Sequence, residues 1–401
     1  MAKPKIRLKG FEGEWKPIFL SDIAKFSKGH GYSKSDLSEH GSPIILYGRL
    51  YTNYSTEIDD VDTYVEIKDG SVLSKGGEII IPASGETPED IACASVIKSE
   101  GIILGGDLNV LSIEEKEYNP TFTALSISYG KVHNELAKYA QGKTVVHLHN
   151  AEISKATIHY PQGIEEQQSI ANYFKSLDSM IQGATKKIAS LKQMKQACLV
   201  SMFPQAGETT PRVRFKGFKG EWIYARLGDL FTERVESNID GEMLSVTMNS
   251  GIIKASENGR FDNSNSDKSH YKVVKVNDIA YNSMRMWQGA SGCSPYEGIV
   301  SPAYTVISPS EGIDSQFFAY MFKTLAMIKV FRLHSQGLTS DTWNLKYPAF
   351  SKISVLYPKD INEQQQIASF FRSMDSQISL QEQRLEKLKQ IKSACLDKMF
   401  V

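Results

Sequence analysis

The sequence predicts a mixed α/β protein with two similar domains joined by two long helices. The helices are expected to pair antiparallel as a coiled coil with pseudo-two-fold symmetry. Two internal repeats lead to this prediction: residues 4–15 (PKIRLKGFEGEW) return as 211–222 (PRVRFKGFKGEW), and residues 160–178 (YPQGIEEQQSIANYFKSLD) return as 357–375 (YPKDINEQQQIASFFRSMD). In addition, the stretch after each second repeat lacks proline and carries apolar residues at heptad spacing.

The repeat has a period of about 200 residues, which indicates a duplicated domain because solenoid units are about 20–50 residues long. A chain of 401 residues gives each copy enough length to bury its own core. We therefore predict globular domains at 1–160 and 205–357 and long spacer helices at 161–204 and 358–401. The sequences between the repeats differ almost completely, so the shared frame is expected to hold two different surfaces.

Each long helix has a narrow apolar seam that would lie in water unless it were covered. The simplest partner is the other copy. Because domain and helix alternate along the chain, the second helix most easily runs back along the first. The alternative is two separate helices, each packed on its own domain. The predicted interface residues are Ile170, Phe174, Leu177, Ile181, Ile188, Leu191, Ile367, Phe371, Met374, Ile378, Leu385 and Leu388.

The two inserts share an order of elements. Short β-like runs come first, then a helical stretch near 120–140 or 314–334, and then a Gln-Gly-x-Thr sequence at 141–144 or 336–339. A strand-like segment ending in Tyr-Pro, which stops a strand and favours the start of a helix, closes each insert. The β-like runs include 42–48, 78–83, 108–113, 278–282 and 303–308.

The composition fits a protein of the cytoplasm. No apolar run approaches the roughly 20 residues of a membrane span, and the first residues lack the apolar core of a signal peptide. The four cysteines form no CxxC or Cys/His cluster, which argues against zinc and for a reducing compartment. The 46 basic and 46 acidic residues balance, and the first predicted domain is net acidic. The chain alone is thus a poor polyanion binder.

Candidate catalytic and metal sites in the sequence are weak. Gly142-Lys143-Thr144 lacks the upstream glycine of a phosphate-binding loop and is better interpreted as a helix C-terminal glycine and a turn. Residues 301–304 (SPAY) only loosely match the [DNS]PP[YF] loop of amino-methyltransferases and favour the start of a strand. Glu114-Glu115-Lys116 lies in a polar turn, and His147 and His149 have no partner acid nearby. We therefore predict that the chain has no catalytic residues, no metal and no enzymatic activity by itself.

Polar, aromatic and basic side chains of the types that read base edges in the major groove are concentrated in loops. The loops 82–90 and 282–290 follow equivalent strands yet share almost no residues, which favours two readers of different DNA sequences. For any single residue, a plain solvated loop is the alternative. The candidate DNA-binding residues are Arg49, Tyr51, Tyr54, Ser84, Glu86, Thr87, Lys143, Thr144, Asn249, Arg260, Asn282, Arg285, Trp287, Gln288 and Thr339.

The motifs KGFEGEW and KGFKGEW, YPxxIxEQQ and QGxT resemble those of type I restriction-modification specificity subunits, in order and over the whole chain. The resemblance implies two target-recognition domains that read the halves of an asymmetric, bipartite site in double-stranded DNA. It implies a helix pair that sets the gap and docks two modification (methyltransferase) subunits, with restriction (motor and nuclease) subunits added for cleavage. It also implies that this chain binds no cofactor and that S-adenosylmethionine, ATP and Mg²⁺ are used by the partner subunits.

Two other functions remain open from the sequence. One is an enzyme, a specificity-methyltransferase fusion whose methyltransferase loop would be the degenerate SPAY sequence at 301–304. The other is a helical scaffold that joins two proteins without touching DNA, for which the acidic first domain gives some support.

Overall fold

The computed structural model describes residues 3–142, 144–248, 250–257, 268–339 and 342–400. The chain forms two compact units: unit 1 is Met1–Thr185 with Gln383–Val401, and unit 2 is Lys186–Glu382. Each unit includes one globular region and parts of both long helices. The predicted division into four consecutive segments is a different partition of the chain, and its boundaries stay a prediction.

Unit 1 is built from two five-stranded sheets and two short ribbons within its described residues. The first sheet has the order Ala24–Lys28, Leu108–Ile113, Ile79–Pro82, Ser95–Ile97 and Glu57–Ile58, and the second has the order Leu37–Ser38, Tyr64–Val65, Ser42–Ile45, Glu100–Leu104 and Leu73–Lys75. The ribbons pair Lys16–Phe19 with Thr157–Tyr160 and Ser84–Gly85 with Val146–His147. The strand Ile79–Pro82 is buried at the centre of the first sheet, and the loop that follows it begins at the end of this central strand.

The helical stretch predicted near 120–140 is two helices, Pro120–Ser128 and Gly130–Tyr139. Asn119 caps the first by accepting a hydrogen bond from the Phe122 amide, and Pro120 occupies its first turn. The break falls at Tyr129, which has an extended backbone. Gly130 begins the second helix with a φ of 73°, which suits glycine, and its Cα faces the backbone of Phe400 too closely for a side chain. The short helices of unit 1 are Leu20–Ile23, Lys34–Asp36 (3₁₀), Arg49–Thr52, Pro88–Ile91 and Asn150–Ile153.

Unit 2 repeats the frame with shorter sheets. Its described strands form a four-stranded sheet and three ribbons. The sheet has the order Phe231–Glu233, Tyr304–Pro309, Ile279–Asn282 and Ser291–Cys293, and the ribbons are Ile223–Arg226 with Ser354–Tyr357, Leu244–Thr247 with Gly251–Lys254, and Lys272–Val274 with Gly298–Val300. The helices are Leu227–Leu230, Ala255–Glu257 (3₁₀), Met286–Gln288 (3₁₀), Ser315–Met321, Leu325–His334 and Tyr347–Phe350.

The two long helices are Ile164–Ser201 and Ile361–Met399, and within each unit their segments run antiparallel. In unit 1 the Lys392 ammonium lies 2.5 Å from the Asp178 carboxylate. In unit 2 the equivalent Lys195 lies 2.5 Å from Asp375. The prediction of an antiparallel helix pair is confirmed, and separate helices are excluded.

The predicted seam residues do more than join the helices. Ile170, Phe174 and Leu177 belong to the same core as Trp15 and the strands of unit 1, and Ile367, Phe371 and Met374 belong to the corresponding core of unit 2. Ile188, Leu191 and Ile378 are buried, whereas Ile181, Leu385 and Leu388 are half-buried. The first turns of each helix are therefore part of a domain core.

Matching aromatic clusters join each helix end to its domain. In unit 1 the Phe122 ring lies 5.5 Å from that of Trp15 and 5.8 Å from that of Phe400. In unit 2 the Phe317 ring lies 5.7 Å from that of Trp222 and 5.4 Å from that of Phe203. The repeated tryptophan of each GEW sequence is thus a core residue, and aromatic pairs of this kind contribute about 0.5–1.5 kcal/mol beyond their buried area.

Candidate nucleic-acid interface

In both units the loop after the central strand is attached to the segment that follows the QGxT sequence. In unit 1 the Leu148 amide donates to the Ala83 carbonyl at 3.0 Å, and in unit 2 the Leu345 amide donates to the Ser283 carbonyl at 2.8 Å. The loops 82–90 and 282–290, which sequence comparison placed at equivalent positions, therefore share the same support.

The first residue of each QGxT sequence pairs through the backbone with a residue that follows the sequence. Gln141 and His147 exchange two backbone hydrogen bonds, of 3.0 and 2.8 Å, as do Gln336 and Asn344, at 3.0 and 2.8 Å. The preceding helix ends at Tyr139, so Gly142 is not its cap as expected but the first residue inside the loop. With a φ of 141°, a side chain here would collide with the Val145 carbonyl oxygen, which explains the glycine.

The candidate loops of unit 1 expose three of the predicted side chains. Glu86, Thr87 and Thr144 are exposed. Thr87 also caps the helix Pro88–Ile91, because its hydroxyl accepts from the Asp90 amide at 3.1 Å. Ser84 is buried, with its hydroxyl 3.3 Å from Nδ1 of His147.

The three candidates at 49–54 are more enclosed than expected. Tyr54 donates from its hydroxyl to the Ala94 carbonyl at 3.2 Å, and burial raises its pKa. Tyr51 is half-buried, and its raised pKa reflects burial first and then the nearby Tyr47, Glu86, Asp90 and Cys93. Arg49 is half-buried and donates to the Asp60 carbonyl at 3.5 Å. The Tyr54 hydroxyl is therefore directed toward the backbone at Ala94, while Tyr51 lies beside the loop at 84–87.

The unit 2 candidates form one folded loop. Asn282 ends a strand, and its side-chain oxygen accepts from the Met284 amide at 3.0 Å. The 3₁₀ turn Met286–Gln288 follows. The exposed Arg285, just before this turn, donates to the Gln288 side-chain oxygen at 3.3 Å. Trp287 is half-buried and donates to the Met284 carbonyl at 3.0 Å. Arg285 is the side chain of this loop that is best placed to meet a ligand.

The remaining candidates are less informative. Thr339 is exposed in the second QGxT loop, with its hydroxyl 3.4 Å from that of Thr342. Lys143, Asn249 and Arg260 lie outside the described residues. A role in DNA binding remains a prediction for all fifteen candidates.

Sequence reasoning missed Trp343 and Arg332, which the fold brings to the 282–290 loop, and named His147 and His149 only as a weak catalytic candidate. Trp343 lies across from Trp287, with ring centroids 5.2 Å apart, and the Arg332 guanidinium lies 5.2 Å from the Trp343 ring centroid. In unit 1 the rings of His147 and His149 are parallel at 6.1 Å. Only sequence position could have indicated that Trp343 lies near the candidate loops, because it closely follows a QGxT sequence, as do both histidines.

The SPAY segment, which loosely matched a methyltransferase loop in the sequence, has a defined local structure. The sequence at 301–304 is a turn in which the Tyr304 amide donates to the Ser301 carbonyl at 3.0 Å, and a strand begins at Tyr304. Across the residues that the structure describes, no group of three or more His, Cys, Asp or Glu side chains could hold a metal. Within the same residues, no helix combines the length and apolarity needed to cross a membrane.

Comparison with known proteins finds the same family domain in both halves of the chain, as the internal repeat predicts. The family profile of the type I restriction modification DNA specificity domain matches the chain twice, at residues 12–193 and 219–390. A solved S subunit of a type-I restriction-modification system from M. genitalium is 14% identical, with a TM-score of 0.62 over 100% of this chain and 99% of that one. A chain from a structure describing complex assembly and conformational transition of the type I R-M system is 13% identical, with a TM-score of 0.51 over 98% and 99%. Among curated proteins, no sequence matches.

Both structural neighbours share the fold along nearly their whole length. Membership of a DNA specificity family favours recognition over the fused methyltransferase and over the DNA-independent scaffold. The repeated frame, the paired helices and the double match show that this chain belongs to the type I restriction-modification DNA specificity family and carries its domain twice.

Proposed function

We propose that the two globular regions read the two halves of an asymmetric, bipartite target in double-stranded DNA through the major groove. One observation carries this proposal: divergent loops stand on matched supports, Ala83 with Leu148 and Ser283 with Leu345. A support shared by the two halves, with different loop residues on it, suits two readers of different base sequences. The reading side chains are proposed to be those predicted from the loops, with Arg285, Glu86 and Thr144 foremost because they are exposed.

The helix pair is proposed to set the gap between the two half-sites. The matched ion pairs Asp178–Lys392 and Asp375–Lys195 support this role, since each fixes the local register of one helix segment against the other. The pseudo-two-fold repeat also supplies two near-equivalent docking surfaces. We propose that these bind two modification subunits, to which restriction subunits add for cleavage.

The balanced charge of the chain fits such an assembly. Non-specific affinity for DNA comes from phosphate neutralisation by lysine and arginine, and the partner subunits would supply much of it. S-adenosylmethionine, ATP and Mg²⁺ are proposed to be bound and used by those partners, in the cytoplasm, and not by this chain.

The first experiment maps methylated adenines in DNA from cells that carry this chain and its partners, to define the two half-sites. Purified complexes with Arg285→Ala or Glu86→Ala are then compared for half-site discrimination. If each residue makes a base contact, each change is expected to cost about 1–3 kcal/mol at one half-site only. Unchanged discrimination by both variants would contradict the assignment of these loops to base reading.

The gap is tested separately. One heptad is inserted after Leu191 and one after Leu388, which preserves the apolar spacing of both helices. The variant complex is expected to select a longer gap with both sequence blocks unchanged. An unaltered preferred gap would contradict the proposal that the helices set it.

A further inference from the structure

Lys323 links two segments of unit 2 that are far apart in sequence. It lies in the turn between the helices Ser315–Met321 and Leu325–His334. Its ammonium donates to the Met248 carbonyl at 2.7 Å and to the Gly289 carbonyl at 2.5 Å. Met248 belongs to the turn of the Leu244–Lys254 hairpin, and Gly289 ends the loop that carries Arg285.

Unit 1 has a neutral counterpart at the same position. The N-caps Asn119 and Asp314 are equivalent, and the ninth residue after each is Ser128 or Lys323. The Ser128 hydroxyl accepts from the Ala94 amide at 2.8 Å, just before the strand Ser95–Ile97. Both side chains therefore hold the segment that leads into a sheet strand, and each also contacts a second loop. Ser128 accepts a hydrogen bond from the Tyr54 hydroxyl at 3.3 Å, whereas Lys323 makes its second contact with a charged donor.

The surroundings of the Lys323 ammonium disfavour its charge. Burial and the nearby Lys195 lower the pKa of Lys323 to about 8, and Asp375 only partly offsets them, so the charged form is costly to keep here. Neither carbonyl would be left without a partner in its absence. Gly289 also accepts from the Ser291 amide at 2.9 Å, and the Met248 carbonyl lies at the exposed surface.

We propose that Lys323 is a positioning residue that sets the distance between the hairpin turn at Met248 and the 282–290 loop. Through this distance it would determine how well unit 2 discriminates between bases. The inference rests on the proposed function, since the predicted base-reading residues Asn249 and Arg285 belong to these two segments. Fixing one arrangement of neighbouring segments is a use that polar and ionic groups have in some proteins.

The test uses the complete complex with Lys323→Met, which keeps the length and apolar stem of the side chain and removes its donors. The half-site of unit 2 is first assigned by photocrosslinking from position 288. We expect discrimination between the cognate half-site and its single-base variants to fall at least tenfold at that half-site and to stay unchanged at the other. The melting temperature is expected to stay the same or rise.

Two further variants sharpen the result. Lys323→Arg keeps donors for two carbonyls and is expected to restore most of the discrimination, whereas Lys329→Met, an exposed lysine on the next helix, is expected to change nothing. The inference is overturned if Lys323→Met leaves discrimination intact, or if both half-sites weaken together with a lower melting temperature. A failure of the unchanged complex to protect any bipartite site would instead overturn the proposed function, and the inference with it.

Discussion

Arg7 donates two hydrogen bonds of 2.7 Å to the carboxylate of Glu166, which lies in the first turn of the first long helix. Arg214 and Glu363 repeat the arrangement at 2.7 and 2.8 Å. Each arginine also donates to the carbonyl of the glycine in its GEW sequence, Gly13 or Gly220, at 2.5 and 2.6 Å. In each unit, the arginine of the opening repeat and the glutamate of the helix repeat therefore form one ion pair, called here the ionic clasp. The clasp attaches the opening segment of the unit to its long helix.

The clasps differ in one useful respect. Glu363 also accepts from the indole of Trp222 at 3.3 Å, whereas the indole nitrogen of Trp15 is buried and has no hydrogen-bond partner. We expect Glu166→Leu to lower the free energy of unfolding of unit 1 by about 1–3 kcal/mol, because the half-buried Arg7 guanidinium loses its charged partner and keeps only backbone carbonyls. Glu363→Leu should cost unit 2 roughly 1–3 kcal/mol more, because the tryptophan also loses its acceptor.

Hydrogen exchange of the ribbons 16–19 with 157–160 and 223–226 with 354–357 reports the two units separately. The exposed Glu165→Leu serves as the control, and no measurable change is expected there. Equal losses for Glu166→Leu and Glu363→Leu would contradict the role of the Trp222 contact.

Two glycines in unit 1 offer a matched pair for the QGxT loop. Gly142→Ala places a methyl group against the Val145 carbonyl oxygen, so the loop must change its shape. Gly183→Ala lies in the long helix with open space around it and is expected to stabilise the helix by about 0.5–1 kcal/mol. In the proposed complex, Gly142→Ala should impair recognition of one half-site, measured by competitive binding, and Gly183→Ala should leave both half-sites intact.

The two ion pairs between the helix segments predict stability losses of different size when their aspartates are removed. Asp375 accepts a hydrogen bond from the Tyr320 hydroxyl at 2.8 Å in addition to Lys195, whereas Asp178 pairs with Lys392. Because the pairs are partly exposed, Asp178→Ala is expected to cost only about 0.5–1 kcal/mol, and Asp375→Ala more. Urea denaturation followed by hydrogen exchange measures both, and salt at 1 M should shrink the ion-pair part of each loss. A larger loss for Asp178→Ala would contradict the Tyr320 contact.

Lys323 predicts a pH dependence with a definite sign. Its pKa falls from 10.5 to about 8 in the folded chain, where it faces Lys195, Asp375 and the carbonyls of Met248 and Gly289. Between these pH values the unfolded state binds more protons, so the free energy of unfolding rises with pH across this window. The rise is expected in the unchanged chain relative to Lys323→Met, measured by denaturant unfolding at a series of pH values. Parallel pH profiles for the two proteins would contradict it.

Much of the fold was predictable because its determinants recur in the sequence. The heptad seam and the duplicated motifs predict two long helices, and the alternation of domain and helix predicts their antiparallel pairing, which the Lys392–Asp178 and Lys195–Asp375 contacts confirm. The break at Tyr129 was not predicted. One constraint beside it is distant in sequence, since a side chain at Gly130 would meet the backbone of Phe400, 270 residues away.

The candidate site was less accessible to sequence reasoning. Loop position follows from the repeat, but orientation depends on contacts across the fold, which turn Tyr54 toward Ala94 and bring Trp343 to Trp287. The sequence did not indicate the contacts of Lys323, because its two partners lie 75 and 34 residues away. Both partners are backbone carbonyls, which any residue type provides. The Arg7–Glu166 clasp was detectable in principle, since both residues recur unchanged in the second copy.

The composition of the two units has a consequence for biosynthesis. Unit 2 is one continuous stretch, Lys186–Glu382, whereas unit 1 needs Gln383–Val401 to cover the core around Phe122 and Phe174. On the ribosome, unit 2 can therefore fold as soon as its own residues emerge, while the first-made globular region waits with part of its apolar surface open. The half of the protein that is translated first is the half that is finished last.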